Sequence, residues 1–211
     1  MSKQTSNFFQ YGEKEIEYLK KADKRLCKVI EQVGFIEKKL RPDLFAALVH
    51  SIIGQQISMK AQWTVYEKMR QGLGGITPES IDAQSEETLQ RFGITFKKAA
   101  YMKAAARKII SGEFDTDALH SMTDKEVMEK LTALDGIGEW TAEMLMIFTL
   151  QRPDVLSFKD LAIIRGLKRL YHHRTIDRAR FERYRKRFSP YGSIAGFYIW
   201  EVAEGSNRIE I

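Results

Sequence analysis

Apolar residues along this chain recur at spacings of three and four, and each run carries its own start and stop signals, which predicts helices nearly throughout. In "RPDLFAALVHSIIGQQIS", residues 41–58, Leu44, Phe45, Leu48, Val49, Ile52 and Ile53 form one stripe, and Gly54 can close the helix. Ser58 can cap a second helix carrying Ala61, Val65 and Met69. Thr77 followed by Pro78 marks another start, as does Ser85 ahead of Leu89 and Phe92, with Gly93 as the stop. Over residues 96–112, Ala99, Met102, Ala106, Ile109 and Ile110 share a face. No strand-like alternation, repeat, low-complexity tract or long linker interrupts the pattern. The expected fold class is all-α.

One stretch, "LTALDGIGEWTAEMLMIFTL" at 131–150, carries more than a helix pattern. Thr123 with Glu126 makes a capping box, and Val127, Met128, Leu131 and Leu134 give the helix behind it a buried side. After Gly138, the residues Thr141, Met144, Leu145 and Phe148 repeat the stripe, so the segment reads as helix, tight hairpin, helix. Gly136 and Gly138 can take positive φ and let another backbone come close, and the second helix starts with N–H groups that favour an anion. An ordinary helix connection uses glycines in the same way. The spacing alone leaves both readings open.

Composition narrows the class. A chain of 211 residues with 44% hydrophobic residues buries a core as one large or two small domains. It has no 18-residue apolar run and no signal-peptide core at its N-terminus, so a soluble intracellular protein with no membrane partner is expected. The single cysteine, Cys27, excludes an internal disulfide and a thiolate-built metal site, and reads as a small buried hydrophobe. Four histidines without an HxxxH pair give a transition-metal centre little support. The net charge of +6 and pI near 9.3 suit a polyanionic partner. Residues 159–187 hold 11 Lys/Arg against 3 Asp/Glu, a net of +8, which leaves the rest of the chain at −2. Within that stretch the run at 178–187 is either a DNA contact or a solvated helix face.

The string "LDGIGEWTAEM" closely resembles the helix-hairpin-helix of the base-excision DNA glycosylase superfamily. "VLSFKDLAIIRGLKRLY", whose Asp lies 22 residues past Gly138, resembles that family's catalytic-aspartate segment, and "LFAALVHSIIGQQIS" its first barrel helix and DNA-probing loop. Three motifs in the family's order cover roughly residues 15–205, and the branch they resemble is DNA-3-methyladenine glycosylase II. The resemblance implies a two-lobed helical body with its active site in the cleft between lobes. Residues 43–150 would form a barrel lobe ending in the helix-hairpin-helix, and 1–42 with 151–211 the lobe carrying the catalytic Asp. The chain is too short to contain the N-terminal β domain that some members carry.

The same resemblance assigns roles. Flipping a damaged nucleotide out of a duplex leaves a gap that something must fill, and Gln56 stands where the family places that wedge, with Gln55 in support. Ser58, Gly136, Ile137, Gly138 and Thr141 fall at its DNA-contacting positions. Asp160 matches the carboxylate that stabilises positive charge on the sugar as the glycosidic bond breaks. As one member of an S-x-x-D pattern with Ser157, Asp160 also has a purely structural use as a helix cap, and both uses are compatible. Trp140 occupies the position where strand-cutting members have a Schiff-base Lys, which implies a monofunctional enzyme. Its indole face also suits a cationic alkylated purine such as 3-methyladenine or 7-methylguanine, although a core Trp is the alternative. Trp200 and Phe158 are further pocket candidates that equally suit a core, and Met144 stands where some relatives place a pocket Tyr. Main-chain oxygens of Thr132, Leu134 and Ile137 would hold a monovalent cation, Na+ or K+; no other cofactor, and no nucleotide, is required.

The resulting expectation is a monomeric base-excision repair enzyme that hydrolyses the N-glycosidic bond of flipped-out alkylated purines in damaged double-stranded DNA. Two alternatives stand beside it. One is a non-catalytic helix-hairpin-helix module that only clamps phosphates; the other is a glycosylase of the same superfamily for uracil, hypoxanthine or an oxidised base.

Overall fold

The computed structural model describes residues 7–205. In chain order the α-helices are α1 (Glu13–Ala22), α2 (Lys24–Val33), α3 (Leu44–Gly54), α4 (Met59–Gly72), α5 (Pro78–Asp82), α6 (Glu86–Gln90), α7 (Phe96–Ile110), α8 (Asp124–Thr132), α9 (Glu139–Phe148), α10 (Leu161–Leu170), α11 (Arg178–Phe188) and α12 (Gly192–Glu204). A 3₁₀ turn covers Ala118–Ser121. Among the described residues there is no strand, only an isolated antiparallel bridge between Phe8 and Lys39. None of the described helices is long and apolar enough to cross a membrane.

The start signals act as the sequence predicts. Ser58, Thr77, Ser85 and Thr123 each accept an N–H from the third residue onward, and Thr123 completes its box with Glu126. The chain forms two compact units, residues 41–145 and residues 1–40 with 146–211, and the division falls inside α9, between Leu145 and Met146.

In the 41–145 unit, α3 contributes Leu48, Val49, Ile52 and Ile53, all fully buried, and α7 packs against α3, α5 and α6. Each such side chain contributes about 1.5–3 kcal/mol. Lys103 of α7 is buried and donates to the carbonyls of Asp82 and Gln84, tying down the end of α5. His50 is buried beside Gln62, whose Nε2 lies 2.8 Å from both the His50 carbonyl and Nδ1. Burial, reinforced by Arg41, lowers the imidazole pKa to about 4. Two stripes differ from expectation. On α4 only Met69 is fully buried while Ala61 is exposed, and Met59 and Trp63 are 85% and 59% exposed. On α7, Ile110, the last residue of the helix, is 49% exposed.

In the other unit α10 crosses α12 closely. A Cβ on Gly166 would overlap the Ile199 carbonyl, so only glycine permits that approach. The tail of α12 is held by Arg169, which donates to Val202 and Ala203, and by Arg165, which donates to Ala203. Cys27 is half-buried rather than core; its thiol donates to Glu31 at 3.6 Å, and burial together with that carboxylate pushes its pKa up. Asp23 is buried, caps α2 through Arg25 and Leu26, and pairs with Arg187 at 2.5 Å.

Candidate active site and DNA-contact elements

In the 41–145 unit, two loops separated by about eighty residues are bound together. The α3–α4 loop begins at Gln55, whose Nε2 donates to the Gly136 carbonyl in the hairpin at 2.7 Å. Gln56 follows with φ of +61°, a conformation rare for a side chain-bearing residue, and its side chain is exposed. The strain is sustained by a third partner, Lys98 of α7, which donates to the carbonyls of Ile53 at 2.8 Å and Gln55 at 2.7 Å. Burial lowers the Lys98 pKa. Ser58 closes the loop as the cap of α4, accepting from Ala61, and remains exposed.

The two hairpin glycines have different uses. Gly136 takes φ of +80°, and a Cβ there would fall on the ring of Tyr101. Gly138 is outside the left-handed region, contrary to the symmetric expectation for the pair, and a Cβ there would meet nothing within 4 Å. Its carbonyl accepts the Ala142 N–H at 3.0 Å, which makes it the N-cap of α9. Ile137 is buried, its N–H donating to Leu134 at 3.1 Å, and Thr141 is buried on the first turn of α9. Neither side chain is therefore presented at the surface. Thr132 is exposed and its hydroxyl donates to Met128 at 2.7 Å, while the Leu134 carbonyl already accepts from Ile137. No cluster of three or more His, Cys, Asp or Glu able to hold a metal ion occurs among the described residues.

Trp140 is 47% exposed at the second position of α9, and Met144 one turn later is half-buried. From Thr141 to Ile147 all other α9 residues are buried, including Glu143. The helix is apolar around most of its circumference, which a stripe from i, i+3, i+4 spacing understates.

In the other unit, Asp160 is 7% exposed and is itself the N-cap of α10. Its Oδ1 accepts from the N–H groups of Ala162 at 2.8 Å and Ile163 at 2.9 Å. Ser157 is the buried partner of the S-x-x-D pattern, with its hydroxyl inside the core rather than at a helix end. Leu161, directly after the carboxylate, is 81% exposed. Phe158 packs edge-on to Phe181 at 5.2 Å, with the Arg178 guanidinium 5.1 Å over its ring. Trp200 is half-buried and stacks on Phe148 at 5.8 Å and on Phe197 at 6.0 Å.

Of the basic run 178–187, much is spent within the fold. Arg178 and Arg185 flank Glu182 at 3.0 and 2.7 Å, Arg180 donates to the Thr175 carbonyl, and Arg187 serves Asp23. Phe181, Tyr184 and Phe188 give α11 its buried side. Arg183 and Lys186 stay exposed.

Comparison with known proteins decides the family. The description "HhH-GPD superfamily base excision DNA repair protein" matches residues 49–190. The chain belongs to the HhH-GPD superfamily. Its fold is similar to that of a DNA-3-methyladenine glycosidase from Bacillus halodurans, with a TM-score of 0.85 and 35% identity over 96% of each chain. It is also similar to the Schizosaccharomyces pombe 3-methyladenine DNA glycosylase solved with abasic DNA, with a TM-score of 0.82, 25% identity, and coverage of 94% of this chain and all of that one. By sequence it is 27% identical over 186 residues to DNA-3-methyladenine glycosylase 1 of S. pombe, covering 86% of this chain and 82% of the relative. The all-α, helix-hairpin-helix reading of the sequence is therefore correct.

Lys98 and Tyr101 had no local signal. Lys98 is one of a Lys–Lys pair at a helix start, and the carbonyls it binds lie more than 40 residues earlier. Tyr101 belongs to an alanine-rich helix, and only the hairpin glycine pressed against it reveals its place.

Proposed function

We propose that this chain is a monofunctional DNA glycosylase that removes alkylated purines of the 3-methyladenine and 7-methylguanine type from damaged double-stranded DNA, acting as a monomer. The observation that supports it is Asp160: a buried carboxylate, in a member of a base-excision repair superfamily, with one oxygen fixed by two backbone N–H groups. A charge held this way does not have to reorganise as positive charge grows on the deoxyribose, which is where fixed electrostatics lower a barrier most. Water adds at C1′, the bond from C1′ to the base nitrogen breaks with its electron pair leaving on the base, and the water proton passes to the carboxylate or to solvent. An N-alkylated purine enters this step as a cation and departs neutral, so it needs little help as a leaving group.

The remaining assignments follow from that step. Gln56 fills the gap, supported by Gln55, while Gly136, Ile137, Gly138, Thr141 and Ser58 meet the backbone of the duplex. The half-exposed Trp140 takes the cationic base on its indole face, and Phe158, Trp200 and Met144 shape its surroundings. Carbonyl oxygens of Thr132, Leu134 and Ile137 would hold a monovalent cation, which supplies positive charge beside a DNA phosphate.

A panel of duplexes, each with one damaged base, tests the reading by single-turnover base release. Release of 3-methyladenine and 7-methylguanine ahead of hypoxanthine, uracil and 8-oxoguanine is expected, with intact strands until alkali is added. Borohydride should trap no covalent adduct, since Trp140 cannot form a Schiff base. Efficient trapping overturns the monofunctional assignment, and absence of release across the panel favours a non-catalytic phosphate clamp.

A further inference from the structure

A cavity of about 440 Å³ opens in the 41–145 unit, bounded by Gln55 and Gln56 on one side, Gly136 of the hairpin on another, and Lys97, Lys98 and Tyr101 of α7. Its lining holds two ammonium groups and no carboxylate. The other long cations of α7 are neutralised, since Lys103 and Arg107 lie against Asp82 and Lys108 against Glu113. Lys97 instead rests 5.7 Å over the ring of Tyr101, and Lys98 faces only carbonyls. Uncompensated positive charge in a recess concentrates the potential at its mouth.

We infer that this cavity is a second phosphate seat, receiving one phosphodiester of the DNA backbone on the Lys97 ammonium, apart from the contact at the start of α9. The inference rests on the glycosylase reading. Its two rims are Gln56, which that reading places in the gap of the duplex, and Gly136, which it places against the backbone. A duplex touching both rims must pass the mouth. Tyr101 forms a rigid floor, because it is pressed against Gly136 and carries the lysine on its ring. The clamp of Lys98 on Gln55 fixes the distance from the seat to the wedge loop. Binding of the phosphate thus positions Gln56.

The probe is a duplex with a tetrahydrofuran abasic analogue, which binds without turnover, titrated from 50 to 200 mM salt. Each phosphate neutralised by a protein cation contributes about 0.9 to the slope of log affinity against log salt. Lys97→Ala should flatten the slope by about that amount, so that its affinity falls roughly threefold less than wild type over this range. Lys97→Arg should restore the slope, and Lys108→Ala, at the far end of the same helix, should leave it unchanged. Replacing phosphates one at a time by neutral methylphosphonates should reveal one linkage whose neutralisation weakens the wild type several-fold and Lys97→Ala not at all. An unaltered slope in Lys97→Ala, or the lack of any such linkage, overturns the second seat while leaving the glycosylase reading standing. Failure of the wild type to bind the duplex overturns the glycosylase reading beneath it.

Discussion

Helices α9 and α10 begin in opposite ways. Every helix starts with backbone N–H groups that have no partner within it. At α10 a side chain takes them up, with Asp160 accepting two N–H groups through one oxygen. At α9 the cap is Gly138, which brings no side chain and has nothing within 4 Å of where its Cβ would be. One start already holds a negative charge, and the other has room for one to arrive. Capping alone does not distinguish either start, since Asp23, Asp43 and Asp177 also cap helices and Gly12 also precedes one. On the proposed glycosylase reading the first is a fixed charge used in chemistry and the second a seat for a phosphate, and that contrast can be attacked from both ends.

The largest effect is expected at α10. Asp160→Asn keeps the size and most of the cap while removing the charge, so melting should change little. Base release under single-turnover conditions should fall by about 10² to 10³, the usual cost of one fixed electrostatic group. Duplex affinity should hold or rise slightly, because a negative charge near the phosphates is gone. Near-normal release by the folded variant would remove Asp160 from the mechanism and reduce α10 to an ordinary capped helix.

The hairpin glycine that does need its conformation comes next. Gly136→Ala forces a side chain into φ of +80° and onto Tyr101. The backbone alone costs about 1–3 kcal/mol, and the overlap adds to it, which urea denaturation would register. Adding Tyr101→Ala should recover the overlap but not the backbone strain. Full recovery in the double variant would show that Gly136 is there for packing only.

What the sequence made legible was chemistry contained within about four residues. Ser58, Thr77, Ser85 and Thr123 announce their helices because a cap and the N–H it accepts are near neighbours in the chain. The GxG hairpin and the Asp160 segment were legible differently, through short strings that resemble a known family, since spacing alone left both open. The bond from Gln55 to Gly136 spans 81 residues and the pair of Arg187 with Asp23 spans 164, so no local pattern reports either. That blindness is why the sequence does not show that Arg187 of the 178–187 run is engaged by Asp23. It also explains Ala61, placed on an inner face by a spacing that says which residues share a side but not which side is covered.

Trp140 tests the chemistry of α9 rather than its backbone. An indole face attracts a cation by about 0.5 to 2 kcal/mol and discriminates neutral bases mainly by shape. Trp140→Ala should therefore reduce the preference for 7-methylguanine over hypoxanthine by roughly 2- to 30-fold, measured as a ratio of release rates within each variant. An unchanged ratio would assign Trp140 a packing role and leave lesion choice to other side chains.

The smallest and most discriminating change gives α9 the kind of start that α10 has. Gly138→Ser introduces a good cap at a position whose φ a side chain can adopt and whose Cβ meets nothing, so the fold should be as stable as before or slightly more so. The new hydroxyl would accept the Thr141 N–H, which the proposed glycosylase reading gives to a phosphate, and its bulk would hold the DNA backbone away. Losing one such hydrogen bond is worth about 0.5–1.5 kcal/mol, so duplex affinity should fall by roughly 2- to 12-fold while melting stays level. Base release at saturating protein should be almost unchanged, because Asp160 is untouched. Stability and binding would then move independently through one residue, as a site held open for a ligand requires. Wild-type affinity in Gly138→Ser would mean that no phosphate is seated on the first turn of α9, and that its open start is an accident of the hairpin.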